Sequence, residues 1–443
     1  MLVRTFFLAL AWLSLGTVAV AGNWPHWRGP DGSGVSQETG LPTSWSAEEN
    51  IAWKAPLKGR GVSSPVVWED TVFVTSQSGR GAVRSGNHPT LSRGSEEMER
   101  ELSSGQMEAQ GVVFLVQAFD TSDGSLRWEY SLDAATPLPE VHNKNNLATP
   151  SPVTDGSMVY AWFGTGQIVA LDMQGREQWK RNLAQDYAPF QVSWGHASSP
   201  TLYKDTLFLL CDHSSESYLL ALDKRDGSQK WKVGRESERG YSTPMVVYRE
   251  QGDELIVNGN QGLKAYDPSS GELLWHLQGE NRFPVPSPSQ GDGMIFTSRG
   301  YRSGPYMAIE PGGRGNIADS HLKWRKPTGA PYVSSVVYYQ GMMFFVNDSG
   351  VASAIDGDTG ETLWRSRLGG VFSASPVAGD GKVYLTNEGG ETTVLRSSNP
   401  PEVLSRNELG ERCLASPAIA GGRLYLRTDQ HLVAIGSPQP QSP

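Results

Sequence analysis

The chain has 443 residues, a formal net charge of −9, 38% hydrophobic and 19% charged residues, 50 glycines, 28 prolines and two cysteines. Its basic residues are scattered, which excludes the basic stripe that nucleic-acid binding needs, and no Cys/His spacing points to zinc. No stretch reads as a long amphipathic helix, so many short strands joined by tight turns are expected.

In chain order, Arg4, the apolar residues 6–15 and Ala19-Val20-Ala21 read as a secretory signal peptide spanning residues 1–21. An uncleaved anchor is the alternative, although the apolar run is short of the roughly 20 residues a membrane span requires. The mature chain is expected to carry no transmembrane helix and to be exported to the periplasm or cell envelope. No cysteine near the cleavage site offers a place for a lipid.

Residues 22–437 read as a single domain built from one repeat, followed by a disordered tail at 438–443. Ser/Thr-Pro steps ahead of apolar residues occur at Ser64-Pro65, Ser151-Pro152, Ser199-Pro200, Thr243-Pro244, Ser287-Pro288, Ser375-Pro376 and Ser416-Pro417, and Ser335-Val336 fills the vacant slot. The intervals are 40–48 residues, apart from one of 87 that contains an insertion. This is the period of a four-stranded propeller blade.

A second signature closes each unit: Ala118, Asp120, Gly124 and Trp128; Ala170, Asp172, Gly175 and Trp179; Ala221, Asp223, Gly227 and Trp231; Ala265, Asp267, Gly271 and Trp275; Ala354, Asp356, Gly360 and Trp364. Ala308, Glu310 and Trp324 form a stretched copy. The Asp opens a turn, the Gly takes its positive φ, and the Trp wedges between blades. The last repeat supplies three strands, and Asn50-Ile51-Ala52-Trp53-Lys54 matches the missing fourth. In the seventh repeat Leu404 stands where a tryptophan is expected. The predicted fold is therefore all-β: an eight-bladed β-propeller of four-stranded antiparallel blades, its ring closed by the N-terminal strand. Trp53, Trp128, Trp179, Trp231, Trp275, Trp324 and Trp364 are blade-docking residues.

This Ala-x-Asp-x-x-x-Gly-x-x-x-Trp unit resembles the pyrroloquinoline-quinone (PQQ) propeller repeat of quinoprotein alcohol dehydrogenases and of the propeller lipoprotein of the outer-membrane β-barrel assembly machinery. Trp24-Pro25-x-Trp27-Arg28-Gly29-Pro30, Gly40-Leu41-Pro42 and Gly61-Val62-Ser63-Ser64-Pro65 are similar to exported PQQ-like repeat proteins of planctomycete-type bacteria. The dehydrogenase resemblance implies a quinone held between a tryptophan and a vicinal disulfide, with a calcium-type ion and a catalytic Asp. Here no two cysteines are adjacent, no Glu/Asn/Asp set can be assigned to the ion, and no Cys-x-x-Cys-His haem motif occurs. No catalytic residue or metal ligand is carried over, and no cofactor is predicted; PQQ with calcium lacks support from the residues. Cys211 and Cys413 read as buried packing thiols, with a disulfide between them as the alternative.

Strand alternation places the b–c and d–a connections on one face and the stereotyped c–d turns on the other. The polar insertion at 77–111, with Glu96, Glu97, Glu99 and Glu101, reads either as a short helical lid or as a disordered loop. The varied face offers His142, Lys144, Asn145, Gln191, Trp194, His196, Arg235, Arg239, Tyr301 and Arg302 as ligand- or partner-binding candidates, each with a plain alternative as a loop anchor. The leading functional reading is a non-catalytic binding or scaffold module of the cell envelope, monomeric, engaging an envelope protein or a small-molecule or glycan ligand. Its rivals are a PQQ- or metal-dependent oxidoreductase and a carbohydrate-binding module.

Overall fold

Each repeat aspartate opens its turn by accepting the backbone N–H two residues on. Asp120 takes Ser122 (2.8 Å), Asp172 takes Gln174 (3.0 Å), Asp223 takes Arg225 (2.9 Å), Asp267 takes Ser269 (2.7 Å) and Asp356 takes Asp358 (3.1 Å). Gly124, Gly175, Gly227, Gly271 and Gly360 follow at φ between +70 and +77°. Such turns return the chain antiparallel, and the computed structural model, which describes residues 22–81, 110–192, 194–301 and 303–437, holds eight sheets. The predicted signal peptide, the Glu-rich stretch at 96–101, Arg302 and residues 438–443 lie outside the described residues.

Blade 1 comprises strands a to d at Val66–Trp68, Thr71–Arg80, Gln110–Asp120 and Leu126–Asp133. Its b and c strands pair out to Arg80 and Gln110, so they take up both ends of the 77–111 span. Six further blades repeat the plan. The eighth has Ala418–Ala420, Arg423–Arg427 and His431–Ile435, and Ile51–Pro56 supplies its d strand, Trp53 opposite Ala434. The ring is thus closed by pairing the two ends of the chain. Blade 4 has a fifth, parallel strand, because Gly315–Asn316 from the stretched turn of blade 5 pairs with Trp275 and His276.

Neighbouring a strands meet around the axis, which puts the Ser/Thr-Pro steps innermost. There each step's backbone N–H donates to the hydroxyl of the next: Ser64 to Ser151 (2.9 Å), Ser151 to Ser199 (3.0 Å), Ser199 to Thr243 (3.0 Å), Thr243 to Ser287 (2.7 Å), Ser287 to Ser335 (2.9 Å), Ser335 to Ser375 (2.9 Å) and Ser375 to Ser416 (2.9 Å). The hydroxyl is required as acceptor, and Ser335 supplies it without a proline. Across the closing junction Arg427, 1% exposed, reaches from blade 8 to Ser63 and Ser76 Oγ and the Thr75 carbonyl of blade 1.

The tryptophans fill the gaps between blades. Trp53, Trp128, Trp179, Trp231 and Trp324 donate their indole N–H to a carbonyl in the next blade's c–d turn, at 2.8–3.2 Å. Each lies against that turn's glycine; a Cβ on Gly175 would sit 2.6 Å from Trp128. Trp275 donates instead to Glu254 (2.9 Å), where the next turn is the stretched one.

The seventh blade corrects one expectation. Ser405, not Leu404, lies opposite Val394 in the tryptophan's register, because the Asn399-Pro400-Pro401 turn is longer than the Asp…Gly turn. The wedge comes from elsewhere. Trp45, buried, packs on Tyr384 with ring centroids 6.5 Å apart, close to the 5.9 Å of Trp53 on Tyr425 and the 6.0 Å of Trp179 on Tyr160. Its backbone N–H donates to Asn407 Oδ1 (3.0 Å), and Ser405 donates to the Thr43 carbonyl.

Ahead of Trp45, the N-terminal segment crosses the axis on the c–d side. Trp24, fully buried, exchanges backbone hydrogen bonds with Val67 of blade 1, the Pro25 carbonyl accepts from Thr154 of blade 2, Gly34 and Val35 lie against Ala378 of blade 7, and Glu38 accepts from Gly421 and Gly422 of blade 8. The Trp-Pro-x-Trp-Arg-Gly-Pro motif is thus a plug across one mouth of the central channel.

Candidate functional site

The opposite mouth carries the varied connections. The b–c and d–a loops here begin and end on hydrogen-bonded strands of the blades, so their side chains are held by a rigid frame. The 1–2 connection folds over the mouth: Lys144 Nζ reaches Glu388 Oε1 of blade 7 at 2.7 Å, and Glu388 is fully buried. This pair spans the opening. Nearby, burial pushes the Asp348 carboxyl up, although it accepts the backbone N–H groups of Tyr332 and Val333.

The structure brings three predicted residues into one contact. His142 and Trp194 meet edge to face with centroids 5.2 Å apart, the His142 backbone N–H donates to the Trp194 carbonyl (3.0 Å), and Asn145 Nδ2 donates to the same carbonyl (3.0 Å). Trp194, half-buried, then joins a cluster with Val192, Tyr241, Phe283, Tyr301 and Tyr332, drawn from five connections. Tyr301 packs at 4.9 Å on Phe283 and 5.3 Å on Tyr332, and the guanidinium groups of Arg239 and Arg282 lie 5.2 and 5.4 Å over the Phe283 ring. Six of the predicted residues, counting Lys144 and Arg239, therefore border the same mouth.

Others serve the frame. Arg235, 3% exposed at its side chain, binds Asp212 bidentately (2.7 and 3.1 Å) and donates to Tyr266, which occupies its guanidinium inside the protein. The Gln191 carbonyl anchors the Ser214 N–H (3.0 Å), and its side chain is exposed. The sequence reading missed Tyr332, Glu388 and Asp348. Tyr332 had a signal, since it precedes its Ser step by a few residues as Tyr241 and Phe283 do; the cross-channel pairing of Glu388 had none.

His196 lies deeper, 1% exposed, its Nε2 at 3.1 Å from the Ser198 carbonyl and its ring 4.1 Å from Trp162. His213 is equally buried, 4.2 Å from Phe190 and 6.3 Å from His196. Burial pushes these imidazoles down to about 3 and about 4, so both are neutral in the folded protein. In the unfolded chain they gain protons near pH 6.5, which gives the expected sign: full stability above pH 6.5 and progressive loss between 6.5 and about 4. Each histidine contributes a slope of about 1.4 kcal/mol per pH unit. Urea midpoints measured across this window should fall for the wild type and fall less for His213→Phe; equal slopes would refute the assignment.

The donors required for the quinone do not match what is present. Cys211 and Cys413 are free, buried and in different parts of the ring, and burial pushes the Cys413 thiol up to about 12. Among the described residues no group of three or more His, Cys, Asp or Glu is placed to hold a metal ion. No helix of the described residues is long and apolar enough to cross a membrane.

A family profile described as outer membrane protein assembly factor BamB matches residues 34–188, 113–302, 315–406 and 347–437. The chain belongs to the BamB repeat family. BamB of Yersinia pestis is 23% identical over 70% of the chain and 66% of its own length, and tetrathionate hydrolase of Acidithiobacillus ferrooxidans is 22% identical over 76% of the chain and 65% of its own length. The chain thus spans just under two thirds of either relative. Among solved structures, quinohemoprotein alcohol dehydrogenase of Comamonas testosteroni superposes with a TM-score of 0.63 at 13% identity, covering 94% of this chain and 81% of that one. At that identity the likeness is one of fold. The BamB repeat family therefore accounts for the architecture, which by itself assigns no activity.

Proposed function

We propose that this propeller is an exported, non-catalytic binding or scaffold module of the cell envelope, acting as a monomer and holding a protein partner on the mouth formed by its b–c and d–a connections. The observation that carries the reading is the aromatic cluster of Trp194, Tyr241, Phe283, Tyr301 and Tyr332 with Arg239 and Arg282 beside it. Aromatic and arginine side chains on a rigid frame are the composition of interface hot spots. The name of the Yersinia relative, an outer membrane protein assembly factor, supports an envelope setting, and no cofactor is invoked.

The test is co-purification from solubilised cell envelopes with tagged wild type and Trp194→Ala/Tyr301→Ala. The expected result is partner recovery reduced at least about tenfold, the effect of losing one hot spot, with an unchanged thermal midpoint. Unchanged recovery overturns the assignment of this mouth. PQQ and calcium retained through gel filtration, with dye reduction by alcohols, would replace the scaffold reading by the oxidoreductase one.

A further inference from the structure

The channel wall and the plug leave a set of hydrogen-bond donors with nothing to donate to. The hydroxyl oxygens of Ser151, Ser199, Thr243, Ser287, Ser335, Ser375 and Ser416 each accept a neighbouring N–H, which leaves each O–H proton for another acceptor. Among the described residues none of those protons makes a hydrogen bond. Arg28 enters the same space from the plug. It is 1% exposed, and its Nη2 donates to the carbonyls of Ser33 (2.7 Å) and Val336.

Val336 follows Ser335 in the hydroxyl ring. Gly34, against which the Arg28 guanidinium packs, lies beside the carbonyl of Pro376, which follows Ser375: a Cβ there would be 2.8 Å from Arg28 Nη2 and 3.3 Å from that oxygen. The guanidinium is therefore one residue below the ring of hydroxyls. Its Nε and Nη1 are buried without a partner. Asp31, the carboxylate whose field it feels, has Oδ1 committed to the N–H (3.0 Å) and O–H (2.5 Å) of Ser33. A buried cation with two idle donors, close to hydroxyls whose protons are unused, offers several donors at once to a small anion.

We propose that the central channel binds a small inorganic anion of the halide class between Arg28 and the hydroxyls of Ser335 and Ser375. Bound there, the anion ties the plug to the inner strands of blades 6 and 7. The site is separate from the aromatic mouth and does not depend on the partner reading.

The experiment compares thermal unfolding in sodium chloride, sodium bromide and sodium isethionate at one pH and one ionic strength. In the halides the midpoint should rise by about 1–2 °C for each tenfold excess of anion over its Kd. Trp194→Ala should keep that response and Arg28→Gln should lose it. Because Arg28→Gln removes part of the plug and can unfold the ring, crystals of wild type grown in bromide supply a second measurement, the anomalous difference map. A bromide peak beside Arg28 Nε and Nη1 supports the proposal. Water alone at that position, or midpoints indifferent to the anion, overturns it.

Discussion

A chain lacking residues 45–57 is expected to lose the single cooperative unfolding transition of the full-length protein. The deletion takes the d strand of blade 8 and two wedges, Trp53 at 7% and Trp45 at 5% exposure. Truncating a buried tryptophan costs about 3–5 kcal/mol, so the two together reach about 6–10 kcal/mol against a whole-domain stability of about 5–15 kcal/mol. The lost ladder to His431–Ile435 adds to this and exposes a strand edge in the process. Tryptophan fluorescence and near-ultraviolet circular dichroism against urea check it. A midpoint equal to that of the full chain would sink the closure, and the separate variants Trp45→Ala and Trp53→Ala divide the effect between the seventh and eighth blades.

Replacing Gly175 by alanine should destabilise the ring by about 2–5 kcal/mol, a large effect for one methyl group. Its φ of +77° costs a side-chain-bearing residue about 1–2 kcal/mol. The new Cβ would also fall 2.6 Å from Trp128, forcing the indole from its gap at the overpacking cost of about 1–3 kcal/mol. Gly341 is the control: its φ is +80°, with nothing within 4 Å of a Cβ, so Gly341→Ala carries the backbone cost alone. Urea midpoints should separate the two variants by several tenths of molar, about 1–3 kcal/mol over an m-value of a few kcal/mol per molar. Equal midpoints would mean that the glycine serves the turn and not the tryptophan.

The architecture was legible because it is local and repeated. An Asp, a Gly and a Trp at nearly fixed spacing encode a turn and a wedge in five of the repeats, and errors arise where the spacing changes. In blade 7 the extra turn residue moved the register from Leu404 to Ser405, and the substitute wedge, Trp45, comes from a distant part of the chain. The site was less legible for the same reason. His142, Asn145, Trp194 and Tyr301 could be picked out as irregular residues between repeats, and the face they share follows from strand alternation. The partners that decide their roles could not be read. Arg235 is taken by Asp212 of its own blade and Lys144 by Glu388 across the mouth, contacts set by tertiary folding, whereas the sequence shows only exposed-looking basic residues. Trp24-Pro25-x-Trp27-Arg28 was recognised as a motif, yet its place as a plug depends on where the first blade meets the last.

The clasp between Ile51–Pro56 and His431–Ile435 has a temporal side. The strand that is synthesised first is the last to find its partner, since that partner lies in the final repeat. Until then seven blades stand as an open arc, and the waiting segment carries an unpaired edge bearing Lys54, a charge of the kind that discourages wrong pairing. Closing so distant a pair leaves few local contacts to speed it, so ring closure is expected to be a late step of folding. In the finished molecule the same junction is the natural place for the circle to part, and native-state hydrogen exchange would register it first there.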